Sequence, residues 1–126
     1  MRRAASTPHV PALTSAESPE APRAFFRDVL ELPNVDAHGG WLIFKLPPAE
    51  LGIHPTGETS PNGHHEFFLL CNDIDSTVAD LSAKGVEFGG PVTEARFGRL
   101  TRMRIPGGGE IGPYEPSHPT AHNLDA

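Results

Sequence analysis

The stretch Trp41-Leu-Ile-Phe-Lys-Leu-Pro47, followed by Glu50-Leu-Gly52-Ile-His54-Pro55, has a counterpart later in the chain. There, Leu100-Thr-Arg-Met-Arg-Ile-Pro106 is followed by Glu110-Ile-Gly112-Pro-Tyr114-Glu-Pro116. A helix-like stretch precedes each copy. An internal repeat constrains architecture before any single residue does. It predicts two copies of one supersecondary unit, neither able to bury its apolar face alone. A site is then expected in the groove between them, lined from both copies.

Outward from the repeat, each half reads as strand, helix, then three strands. In the first half, 9–14 is a short strand weakened by Pro11, which has no N–H for a ladder. Ser18-Pro19-Glu20 opens a helix, with serine as cap, proline at the first helical position and an acid in the first turn. Phe25, Phe26, Val29 and Leu30 follow at helical spacing, and the helix is expected to end near Leu32, before Pro33. Residues 35–37, 41–46 and 50–54 read as strands, with a turn at His38-Gly-Gly40. The polar stretch 56–63 reads as the linker between halves. The nearly continuous apolar run 65–71 then predicts a buried central strand. Asn72 or Asp73 caps a helix carrying Ile74, Val78 and Leu81, stopped by Lys84-Gly85. Residues 86–88, 100–105 and 110–114 read as strands, with Gly107-Gly-Gly109 as a hairpin turn.

The 126 residues suit one domain, and 37% apolar content is ordinary for a soluble globular chain. The 13 glycines and 14 prolines lie mostly at segment edges, as expected for turns between many short strands. A net charge of −6 argues against a nucleic-acid partner, which needs clustered Lys and Arg. The local exception, Arg96, Arg99, Arg102 and Arg104, reads as a solvated strand face and loop or as an anionic-ligand contact. Cys71 is the sole cysteine, so no intrachain disulfide can form, which fits a reducing cytoplasm. It reads as a packed thiol. No apolar stretch follows Met1-Arg-Arg, so no secretory signal is expected. The longest apolar run, 67–71, is far short of a membrane span.

Three segments carry a family resemblance. They are Pro19-Glu-Ala-Pro-Arg-Ala-Phe25-Phe-Arg-Asp-Val-Leu30, then Asp73-Ile-Asp-Ser-Thr-Val-Ala-Asp-Leu81-Ser-Ala-Lys-Gly85-Val-Glu-Phe, then Pro106-Gly-Gly-Gly109-Glu-Ile-Gly-Pro-Tyr114-Glu-Pro116. In order and spacing the chain resembles the vicinal oxygen chelate superfamily, which includes glyoxalase I, bleomycin-resistance proteins and extradiol dioxygenases. The resemblance implies an α+β fold: two βαβββ modules forming a curved eight-stranded mixed sheet, helices on the convex face. Module one would span about 9–55 and module two about 64–116, with 117–126 as a tail. It also implies a homodimer, sometimes with exchanged modules, for which Trp41 and Phe44 are candidate contacts.

In the metal enzymes that the chain resembles, ligands sit on the first and last strands of each half. Those positions fall near Pro11 (with His9 two residues away), then on Gly52, Glu66 and Gly112. Only Glu66 carries a donor there, whereas Zn²⁺ and its relatives need three or four. The usual metal, and any cofactor, is therefore expected to be missing. The alternative is a divalent metal in a shifted site drawing on His54, His64, His65, Glu66 and His118.

Strand alternation groups Glu50, Gly52 and His54 on one face, Glu110, Gly112 and Tyr114 on another, and His64, Glu66, Phe68 and Leu70 on a third. His54, His64, Phe68, Leu70 and Tyr114 are the expected ligand-binding residues, since an apolar concavity with a few polar groups suits a small molecule. Glu66 reads as a general acid or base, or as a structural carboxylate paired with an arginine. His54 reads as a group titrating near neutral pH or as a simple strand end, and Tyr114 also as a core aromatic with a satisfied hydroxyl. The two glycines reflect hairpin geometry or leave room for a ligand. His118 and His122 read as surface residues. No nucleophile elbow, phosphate loop or C-x-x-C is present. The expected function is a cytoplasmic small-molecule-binding protein of the glyoxalase/bleomycin-resistance type without the usual metal. The alternatives are a metal-dependent lyase or dioxygenase with a displaced site, a metal-free acid/base enzyme using Glu66, and a structural or partner-binding module. Whether the chain is an enzyme stays open at this stage.

Overall fold

The computed structural model describes residues 13, 16–53, 55 and 65–124. The expected first strand at 9–14 and linker at 56–63 lie almost wholly outside the described residues, as do His54 and His64.

Helix α1 (Glu20–Ala24) starts at Pro19 without a side-chain cap and continues directly into a π-helical turn, Phe25–Val29. The wider turn shows in Leu30 N–H bonding to the Phe25 carbonyl at 3.1 Å and Leu32 N–H to Phe26 at 3.1 Å. Glu31 ends the run in the left-handed region, at φ 56°. Strands β1 (Asn34–Asp36) and β2 (Leu42–Phe44) follow as an antiparallel hairpin through His38-Gly39-Gly40, where both glycines take positive φ. The strand expected at 50–54 does not form over 50–53. Leu51 and Ile53 are exposed and no strand among the described residues supplies a ladder there, so alternation alone does not hold it.

The second half is more complete. It runs β3 (Phe68–Leu70), α2 (Ile74–Ala83), β4 (Thr93–Ala95), β5 (Gly98–Leu100), β6 (Met103–Ile105) and β7 (Gly109–Pro116). Asp73 caps α2 by accepting the Ser76 N–H at 3.2 Å, and Gly85 at φ 88° closes the helix after Lys84, both where the sequence predicts them. The hairpin at 107–109 and a long β7 also match. β7 pairs parallel with β3 on one side and antiparallel with β5 and β6 on the other, and β4 lies outside β5.

Three strand expectations need correction. The run 65–71 is not a buried strand throughout: only Phe68–Leu70 is strand, and Leu70 is 38% exposed; among the described residues β3 pairs only with β7. An apolar run reports burial of its faces and says nothing of whether its edge is paired. Residues 86–88 contribute only an isolated bridge, Phe88 to Met103. The strand expected over 100–105 is split into β5 and β6 opposite Pro113. Proline has no N–H to return, so Thr101 keeps a single 3.3 Å bond to the Pro113 carbonyl and the ladder lapses. The architecture is α+β with mixed sheets; the described residues hold seven strands in two sheets rather than one eight-stranded sheet.

Both helices cover one face of the larger sheet. Phe25 packs with Met103, Ile105 and Ile111, and Phe26, Val29, Leu30, Leu69 and Leu81 extend the cluster. Lys84 Nζ ties the end of α2 to the Val29 carbonyl and to Glu31, at 3.3 and 3.2 Å. Arg99 bridges to Asp75 on the same side, and Glu115 accepts the Ile74 N–H at 2.9 Å. Residues of odd number on β7 thus face the helices. The even ones face away, and that face carries the candidate site.

Candidate functional site

The register fixes which residues share the helix-free face. Phe68 stands beside Gly112 and Leu70 beside Tyr114, while Leu100 pairs with Tyr114 on the other flank. Paired residues point the same way and successive residues point to opposite faces, so Glu66, Phe68, Leu70, Leu100, Arg102, Gly112 and Tyr114 form one surface.

Tyr114 is its centre. The Phe68, Phe97 and His118 rings lie 5.7, 5.9 and 5.9 Å from its own. Its hydroxyl donates to the Phe97 carbonyl at 3.0 Å, and the residue is only 9% exposed. Burial, then the negative charge of Glu50, push its phenol above the ordinary range. The Phe68 ring lies partly open, with the Arg102 guanidinium 5.4 Å over it. The same guanidinium bonds Glu66 at 2.8 Å, both side chains being a third or more exposed.

Two glycines seat these rings. A Cβ on Gly112 would come within 2.7 Å of the Thr101 carbonyl and within 3.0 Å of Phe68 Cδ1. One on Gly98 would meet the Glu115 carbonyl and would stand 2.7 Å from Tyr114 Cε1. The space left by Gly112 is therefore filled by an aromatic ring rather than held open. Gly52 has nothing within 4 Å of its Cβ position.

Phe68, Leu70, Tyr114 and Glu66 are thus brought onto one surface; His54 and His64, also expected there, lie outside the described residues. Sequence reasoning left Phe97 out of the site and read Arg102 as a solvated residue or an anionic-ligand contact; it put His118 at the surface, where it is indeed exposed, without foreseeing its ring against Tyr114. Arg102 was findable only once the hairpin register is known, since the pairing of Met103 with Ile111 sets it opposite Gly112. His118 and Phe97 lie in non-repetitive segments with no periodicity to read.

Of the superfamily's ligand positions, the one near Pro11 and His9 lies outside the described residues. Of the other three, Gly52 and Gly112 carry no side-chain donor, and Glu66 is engaged by Arg102. Among the described residues, no group of three His, Cys, Asp or Glu could hold a metal. A separate cleft of about 270 Å³ lies on the helix side, bordered by Val29, Leu69, Leu81 and Lys84. It is a seam between the π-helical turn and α2, and Leu70 at the end of β3 borders it too. Cys71 borders it, and burial raises that thiol's pKa, as suits a packed and unreactive cysteine.

No protein-family model and no curated protein matches the chain. Solved structures do. The antibiotic-binding protein TnmS3 of Streptomyces sp. CB03234 is 25% identical, with a TM-score of 0.58 over 82% of this chain and 91% of its own. A glyoxalase/bleomycin resistance protein/dioxygenase from Nocardioides is 17% identical, with a TM-score of 0.61 over 94% of this chain and 93% of its own. A lactoylglutathione lyase from Agrobacterium tumefaciens is 19% identical, with a TM-score of 0.56 over 79% of this chain and 87% of its own. The chain has the fold of the glyoxalase/bleomycin resistance protein/dioxygenase superfamily, which its three motifs resemble.

Proposed function

We propose that the chain is a small-molecule-binding protein of the glyoxalase/bleomycin-resistance type that works without a divalent metal. The observation carrying this reading is the aromatic surface of Phe68 and Tyr114 bordered by Leu70, with one guanidinium lying over the Phe68 ring. An aromatic surface bordered by one fixed charge favours a planar ligand, since flat rings stack on it and the charge sets orientation. The fold likeness to an antibiotic-binding protein supports the same class of ligand.

An acid/base enzyme built on Glu66 gains no support from geometry, because that carboxylate is ion-paired and partly solvated rather than desolvated. A homodimer fits the exposed module-one hairpin, where Trp41, Val35 and Ile43 present apolar surface. A cytoplasmic location suits the single cysteine. No helix among the described residues is long and apolar enough to cross a membrane.

The test is a thermal-shift screen against aromatic antibiotics, small electrophiles and hydroxy or keto acids, run with and without a chelator. The reading expects an aromatic compound to raise the melting temperature equally in both. Stabilisation only by compounds added with a divalent ion would overturn it.

A further inference from the structure

The tail beyond β7 runs across the face just described. Its near end is anchored to module two: Ser117 N–H bonds the Phe97 carbonyl at 2.9 Å and Ser117 Oγ the Arg96 carbonyl at 3.3 Å. The His118 ring then lies against Tyr114, tilted 33° to it. His118 Nδ1 stands 2.7 Å from the Pro119 carbonyl. A carbonyl only accepts, so that nitrogen carries the proton and the ring is held in one orientation. The far end is fixed by module one: Glu50 Oε1 accepts the N–H of Ala121 at 2.9 Å and of His122 at 3.2 Å.

We propose that residues 117–122 form a strap that covers Tyr114, is latched by the Glu50 carboxylate, and must swing away before a ligand can reach that ring. This inference rests on the binding role proposed for the same face. The two ends of the strap are unequal. The hinge bonds lie at the end of a paired strand, whereas the latch is one exposed carboxylate oxygen on a segment without secondary structure. Segments held by few solvent-exposed bonds open first. Tyr114 is almost fully covered, and His118 is the one ring among its three neighbours that belongs to the tail. Opening at the latch therefore uncovers the ring without disturbing the sheet.

Two full-length variants test the proposal, Glu50→Ala and His118→Ala. Amide hydrogen exchange at Ala121 and His122 reads the latch with no ligand present. Fluorescence titration with 8-anilinonaphthalene-1-sulfonate reads access to the aromatic face, with Phe68→Ala marking signal from that face. Losing two hydrogen bonds predicts exchange about tenfold faster at both amides in Glu50→Ala. A larger open population tightens apparent binding in proportion, so both variants should bind the probe several-fold more tightly, and Phe68→Ala should remove the gain. Unchanged exchange in Glu50→Ala overturns the latch. Phe68-dependent binding that neither variant tightens overturns the gating. A probe that binds no form in a Phe68-dependent way removes the binding role itself, and the strap with it.

Discussion

Replacing Gly112 with alanine asks whether the gap at that position belongs to the fold or to a ligand. Two opposed effects set the outcome. Gly→Ala at an unstrained position stabilises by about 0.4–1 kcal/mol, because the unfolded chain loses freedom. Against this, the new methyl would stand 2.7 Å from the Thr101 carbonyl and 3.0 and 3.2 Å from two Phe68 ring atoms. The ring can tilt, but the carbonyl moves only with its strand. Overpacking of this kind costs about 1–3 kcal/mol, so the clash wins and the net loss is about 1–2 kcal/mol. Urea denaturation of the four proteins in a double-mutant cycle with Phe68→Ala measures it. Removing the ring should relieve part of the cost and leave the carbonyl part, giving a coupling energy of about 0.5–1 kcal/mol. If Gly112→Ala stabilises the protein, or costs the same with and without Phe68, the ring does not fill that space and the argument fails.

Tyr114→Phe should lower stability by about 1 kcal/mol through loss of the bond to the Phe97 carbonyl, which keeps the Ser117 N–H as a partner. Denaturant midpoints check this, and an unchanged midpoint would show that the hydroxyl contributes nothing. Asp73→Ala removes the cap of α2 and should cost about 1 kcal/mol by the same measurement. The Glu50 carboxyl is drawn below its ordinary range by the Ala121 N–H, with help from the His122 N–H and the charges of His122 and His118, against an opposing effect of burial. The Tyr114 phenol is raised by burial first and then by the Glu50 charge. A depressed folded value means the strap's stabilisation is present above the ordinary carboxylate range and is lost as pH falls through the lowered value. Amide shifts of Ala121 and His122, followed from neutral to acid pH, should move together there; independent movement would contradict a shared carboxylate.

Local signals were the legible ones. The Asp73 cap, the Lys84-Gly85 stop and the Gly107–Gly109 turn each need only a few adjacent residues, and each stands where it was read. Strand alternation grouped Gly112 with Tyr114 and Phe68 with Leu70, and the pairing of β3 with β7 sets these two pairs side by side. Long-range facts were not legible. The exposure of Leu70 depends on what packs on its face, and the sequence of 65–71 holds no trace of that. Leu51 and Ile53 alternate as a strand would, yet pairing decides. The break opposite Pro113 could have been read, since a proline within a ladder removes a bond. The tail's path over Tyr114 could not, because it rests on Glu50 meeting main-chain N–H groups far along the chain.

The central claim is a metal-independent aromatic binding face on the side of the sheet away from the helices. The most direct measurement is two-dimensional NMR of the protein in chelator, titrated with an aromatic compound that stabilises it. The account predicts saturable shifts concentrated on Phe68, Arg102 and Tyr114. Shifts confined to the helix side around Leu81 and Lys84, or binding that appears only after a divalent ion is restored, would contradict it.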